Sequence, residues 1–149
     1  MPIAPKKQKS AARRRALAEY NRALAKVHRL FGHKDETSNV ELEQMLQRVG
    51  LVPFEVGPRG MLDERKEARK NKSKWRGTGK NAPKYGIYNT VYKPPGEHWI
   101  CCYEDYTYDP LGKDDTSKTQ EQPDNADDCG QRCVAYLMMC RNKGTAVPL

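Results

Sequence analysis

No stretch of this chain is apolar for anything near the roughly 20 residues that cross a bilayer, and the N-terminus lacks the hydrophobic segment of a signal peptide. The sequence therefore predicts neither a membrane protein nor a secreted one. Cysteine is sparse and badly arranged for a disulfide framework: five residues, an odd number, with three of them in the last 21 positions. A reducing compartment inside a cell or particle is expected instead. Zinc spacing is also missing, since Cys101 and Cys102 are adjacent while Cys129, Cys133 and Cys140 have no histidines at matching intervals. No metal is expected. Acidic residues are almost absent from positions 1–34, where Glu19 alone faces ten Lys or Arg.

The 149 residues carry a formal charge of +8, and its distribution says more than its total. Ten further Lys or Arg fall between Arg59 and Lys84 against three acids, whereas from Cys102 to Asp128 nine acids face two lysines. Two basic blocks bias the chain toward polyanions, because neutralised phosphates release condensed counterions. Lys6, Lys7, Lys9, Arg13, Arg14 and Arg15 are the candidate nucleic-acid contacts. The same string, KKQKSAARRR, also reads as a nuclear address or as a solvated arm. With hydrophobic residues at 37% and a mean hydropathy of −0.94, one domain with a small core is expected.

Residues 1–9 have no periodicity and read as disordered. From Ser10 the run rich in Ala, Leu and Arg places Leu17, Tyr20, Leu24, Val27 and Leu30 or Phe31 on one helical stripe that ends at Gly32. This helix has basic outer faces, and its stripe suits DNA, a partner or the chain's own domain. A second helix is predicted from Asn39 to about Val49, capped at Thr37 or Ser38 and stopped at Gly50, with Val40 off its apolar stripe. Residues 51–84 read mostly as loop. YGIYNTVY and HWICCY read as strands flanking a Pro94-Pro95-Gly96 turn, and Glu104-Asp105 is a two-residue turn that pairs Tyr103 with Tyr106. CGQRCVAYLMMCRN is apolar nearly all round, the mark of a buried helix, with Gly144 just beyond it. The predicted organisation is a basic arm over 1–36 and a domain over 37–149 with a basic loop at about 59–84.

Three segments then converge on one chemistry. GEHW puts His98 at the head of a strand, YDPLG puts Asp109 at the end of its partner, and Gln122 stands seven residues before Cys129 at the head of a helix. A thiol becomes a good nucleophile once deprotonated, which a helix N-terminus and a neighbouring imidazolium both favour. An imidazole serves as base and then acid when a carboxylate fixes its orientation. In the predicted hairpin Asp109 falls opposite Ile100, one diagonal step from His98; Asp105 is its nearest rival. The developing oxyanion needs preset donors, here the backbone N–H of Cys129 and the Gln122 amide. Gly130 leaves room beside the thiol. Cys101, Cys102, Cys133 and Cys140 read as core.

The order GEHWICCY, YDPLG, Gln122 and Cys129-Gly130 resembles the adenovirus maturation protease family, and more distantly the proteases that process ubiquitin-like modifiers. KYGIYNT and VGLVPFEVGPRGMLDE resemble further segments of the viral members. The resemblance implies a papain-like, adenain-like α+β fold, with a small antiparallel sheet packed on a central helix that starts at Cys129 and a basic helical arm in front. It implies Cys129 as nucleophile, His98 as base, Asp109 as orienting acid, Gln122 as oxyanion donor and Trp99 as a wall of the histidine site that meets substrate. Asp109 and Cys129 are only 20 apart, so a layer usual in the family is expected to be reduced to loop. The implied activity is a viral cysteine endopeptidase acting on capsid or core precursors in the virion or the host cell, its nucleus included. No cofactor is needed for the chemistry, and activation by DNA or a peptide partner is expected. Two rival readings are a ubiquitin-like-protein deconjugating protease and an inactive DNA-binding virion protein of the same fold.

Overall fold

The computed structural model describes residues 3–70, 83–90, 98–112, 120–123 and 126–149. The elements in chain order are α1 (Ile3–Phe31), α2 (Asn39–Arg48), β1 (Phe54–Gly57), α3 (Arg59–Lys70), β2 (Tyr85–Asn89), β3 (Trp99–Tyr103), β4 (Tyr106–Tyr108) and α4 (Cys129–Lys143). The fold is α+β, with four helices and a four-stranded sheet of order β1-β2-β3-β4 among the described residues. No described helix is long and apolar enough to cross a membrane.

The sheet is mixed rather than antiparallel. β2, β3 and β4 form the expected meander, with Tyr88 opposite Ile100, Cys101 opposite Tyr108 and Tyr103 opposite Tyr106. β1 adds a parallel edge, with Phe54 opposite Tyr85 and Val56 opposite Ile87. Parallel neighbours need a crossover, and α3 supplies part of it from residues expected to be loop. α3 is so polar because it presents only a narrow stripe to the sheet: Leu62 is fully buried, Met61 partly, and the third residue is the cation Arg65. That guanidinium is held by the carbonyls of Glu104 (2.6 Å from Nη2) and Lys84 (3.3 Å) and by the Tyr88 hydroxyl (2.9 Å).

Strand alternation divides the buried side chains between two faces. Tyr85, Ile87, Trp99, Cys101 and Tyr103 join the main core, whereas Tyr88, Ile100 and Cys102 meet Leu62 of α3. On the main face lies α4, in which every residue from Cys133 to Cys140 is at most 2% exposed. A helix buried on all sides cannot be amphipathic, which explains its composition. α4 packs against β3 on one side and against α1 on the other. Gly144 closes it in the left-handed region at φ 75°.

α1 begins at Ile3, so residues 3–9, expected to be disordered, are helical, and Ala16, Tyr20, Leu24 and Val27 seal its inner stripe against the core. The three possible uses of that stripe are thereby reduced to one: it belongs to the chain's own core. Ser38 is the N-cap of α2 in a reciprocal capping box with Glu41, and Val40 is exposed.

Candidate active site

His98 sits immediately before β3, and its carbonyl accepts the Thr90 N–H at 2.9 Å, which extends the β2–β3 ladder to the histidine. Across the hairpin, Asp109 follows the last residue of β4. The string Asp109-Pro110-Leu111-Gly112 closes a turn in which Gly112 N–H donates to the Asp109 carbonyl at 2.8 Å, with Gly112 at φ 73°. Asp109 Oδ1 also accepts the Leu111 N–H at 2.9 Å and the His98 Nε2–H at 2.6 Å. Turn capping and histidine orientation are therefore two duties of one buried oxygen. Asp105, the rival carboxylate, is exposed in the turn at the far end of the hairpin.

Cys129 is the first residue of α4, where the backbone N–H groups of the opening turn have no intrahelical acceptors. Its residue is 5% exposed, and its Sγ accepts the Trp99 N–H at 3.4 Å. That contact holds the sulfur beside the residue that follows His98. Burial lowers the pKa of His98, but hydrogen bonds to Asp109 and to Cys129, with the charges of both, outweigh it and push the value up to about 9. With Nε2 turned to Asp109, Nδ1 is the nitrogen left for the thiol. The arrangement supports a protonated imidazole beside sulfur at neutral pH, with proton transfer between them and a carboxylate steadying the ring.

Gln122 is buried and tied to the same turn, because the Pro110 carbonyl accepts the N–H groups of both Glu121 and Gln122 at 3.0 Å. Its Nε2 donates to the carbonyl of Ala126 at 2.5 Å, three residues before Cys129, while its Oε1 is buried without a hydrogen-bond partner among the described residues. One N–H of that amide is committed to the peptide leading into Cys129. The Trp99 ring lies in the core, where Nε1 donates to the Thr37 carbonyl at 3.2 Å; it is the Trp99 backbone that reaches the sulfur.

No protein-family model, curated protein or solved structure matches this chain. The site's interpretation rests on its chemistry.

Several positioning residues were not visible in the sequence. Gly130 does more than leave room for the thiol: a Cβ there would stand 2.1 Å from Thr37 Oγ1 and 3.0 Å from Leu42 Cδ2, so the segment before α2 packs directly on the backbone beside Cys129. Gln131, fully buried in the first turn of α4, donates to the Gly32 carbonyl at 2.7 Å and accepts the Lys34 N–H at 3.1 Å. It clamps the α1–α2 connection onto the head of α4. A lone glutamine in an apolar helix was the only available signal.

The basic residues divide. Arg13, Arg14 and Arg15 are exposed on α1, with Arg13 3.4 Å from Glu121, and Arg22, Lys26 and Arg29 continue along the same helix. The side chains of Lys6, Lys7 and Lys9 lie outside the described residues, as does the 71–82 part of the second basic block. An open groove of about 460 Å³ runs between α1 and the C-terminal half of α4, lined by Arg22, Lys26, Arg141 and Lys143 among others, with none of His98, Asp109 or Cys129.

Proposed function

We propose that this chain is a cysteine endopeptidase of the adenovirus maturation protease type, acting on viral capsid or core precursors through a thioester acyl-enzyme. The observation that supports this best is the meeting of three complementary groups from three segments: a sulfur at the head of a buried helix, an imidazole before a strand, and a carboxylate 2.6 Å from that imidazole. Structural packing alone gives no reason to hold a nearly buried histidine between a thiol and a carboxylate.

In this reading Cys129 Sγ attacks the scissile carbonyl carbon and its proton resides on His98 Nδ1. The tetrahedral oxygen takes hydrogen bonds from the Cys129 backbone N–H and from the second N–H of the Gln122 amide. His98 then gives the proton to the departing amine, the C–N bond breaks and a thioester remains. Water, deprotonated by the same imidazole, hydrolyses that thioester and returns the thiol. Asp109 stays ionised and fixes the ring throughout. These steps need no cofactor. The exposed arginines of α1 are where DNA would bind to raise the rate of an already accessible thiol.

A peptide electrophile with glycine at its reactive end tests the assignment. Labelling of the wild type, with loss in Cys129→Ala and a large loss in His98→Gln, is the expected result; equal labelling of wild type and Cys129→Ala refutes a catalytic thiol and leaves a DNA-binding virion protein. Comparing short glycine-containing peptides with a ubiquitin-like C-terminal fluorogenic substrate separates endopeptidase from deconjugating activity.

A further inference from the structure

Next to Cys129 in the chain, Asp128 meets two histidines from the far N-terminal part of the sequence. His28 is in the last turn of α1, His33 follows Gly32 in the α1–α2 connection, and Asp128 precedes Cys129. One ligand atom from each lies within 4.8 Å of the others. From these residues we infer a binding site for a divalent cation of the zinc class, which would staple the end of α1 to the head of α4. The inference is independent of the proposed protease chemistry.

The carboxylate is unusual for its place. Asp128 stands at the N-cap of α4 but its side chain makes no capping hydrogen bond. It is 3% exposed. Its Oδ1 accepts from Arg132 Nε at 2.8 Å, and its Oδ2 turns instead toward Nε2 of His28, at 3.5 Å, and Nε2 of His33, at 3.8 Å. His28 Nε2 is sealed from solvent with no well-formed hydrogen bond among the described residues. A buried imidazole nitrogen thus faces a carboxylate oxygen at a separation too long for a good hydrogen bond, and a buried nitrogen left so calls for an explanation.

A cation there supplies one. Ligands bound at about 2.0–2.1 Å in a tetrahedral site are about 3.3 Å apart, close to the two observed nitrogen–oxygen separations. The His28–His33 edge closes by rotation of His33, whose side chain is the exposed member of the set. The outer shell is also present. His33 Nδ1 faces Asp35 Oδ1 at 3.5 Å, the carboxylate partner that metal-binding imidazoles commonly have. Gln131 fixes the backbone at Gly32 and Lys34, on both sides of His33. Arg132 occupies Oδ1 and leaves Oδ2 for the ion. Two imidazoles and one carboxylate suit zinc or cobalt better than magnesium or calcium.

The test uses the full chain with Cys129→Ala, which removes the thiol as a competing ligand. Zn2+ is measured by competition with a chromophoric chelator, and Co2+ by its visible spectrum. We expect one Zn2+ per chain at micromolar metal, a tetrahedral Co2+ spectrum without sulfur charge transfer, and a rise in thermal midpoint with Zn2+. Asp35→Asn weakens binding by about 10-fold, and His33→Ala or His28→Ala by about 100-fold or more. His33→Ala alters an exposed side chain, so its circular dichroism and metal-free midpoint report an intact fold. Absence of uptake in Cys129→Ala, or uptake unchanged by His33→Ala, overturns the site; uptake only when Cys129 is present assigns the ion to the thiol and overturns it equally.

Discussion

Replacing Asp109 by asparagine keeps the shape of the side chain and removes its charge. In the native protein the His98 pKa is lowered by burial but raised further by Asp109 and Cys129, from 6.5 up to about 9. A rise of that size corresponds to a preference of about 3 kcal/mol for the imidazolium over the neutral ring. Without the carboxylate, burial acts against the thiol alone, and the His98 midpoint should fall toward 6.5 or below it. Because the folded value lies above the unfolded one, this preference stabilises the fold fully below about pH 6.5 and is lost as pH rises through about 9. The stability difference between wild type and Asp109→Asn should therefore shrink between those two pH values. Ring Cε1–H resonances give the midpoints directly, since the chain has only three histidines to assign by His→Gln variants. His28 is an internal reference, its pKa lowered by burial and then by the charge of His33. A wild-type His98 midpoint near 6.5, or one unmoved near 9 in Asp109→Asn, would refute the coupled site.

Gly130→Ala should cost about 1–3 kcal/mol in urea unfolding, because the new methyl meets Thr37 Oγ1 and Leu42 Cδ2; Thr37→Gly in the same chain should recover part of it, and a fully stable single variant would show that the contact yields freely. Arg65→Met keeps the stem of the side chain but takes from the Glu104 carbonyl its guanidinium donors, while the Lys84 carbonyl keeps the Glu104 N–H at 2.8 Å. A loss of about 2 kcal/mol or more is expected, read as a shifted urea midpoint with unchanged slope. Alkylation followed by mass spectrometry should modify only Cys129 in the native chain and all five cysteines in denaturant: Cys101, Cys102 and Cys140 are buried, with thiol pKa values raised by that burial, and Cys133 is fully buried.

The site was more legible in the sequence than the scaffold around it. His98, Asp109 and Cys129 each lie at the end of an element with strong local signals: a strand after a turn, the DPLG turn, and an apolar helix. The hairpin register fixed by Tyr103 and Tyr106 then brings Asp109 to His98 without further information. β1 and α3 were hidden for a physical reason. β1 is only four residues long, and α3 buries a leucine, part of a methionine and a guanidinium, so neither has a periodic apolar pattern. The mixed sheet follows from that hidden parallel strand. Likewise Asp128 meets His28 and His33 only through tertiary packing, since it lies 100 and 95 positions beyond them in the chain.

Because Tyr20, Leu24 and Val27 of α1 are sealed into the core that α4 fills, the cationic helix cannot be treated as a detachable handle. Cutting it away would strip the cover from the rod whose first residue is Cys129. Mechanical load applied along the outer arginines would pass straight into that rod, so whatever grips the outside of this molecule also grips the seat of the Cys129 sulfur.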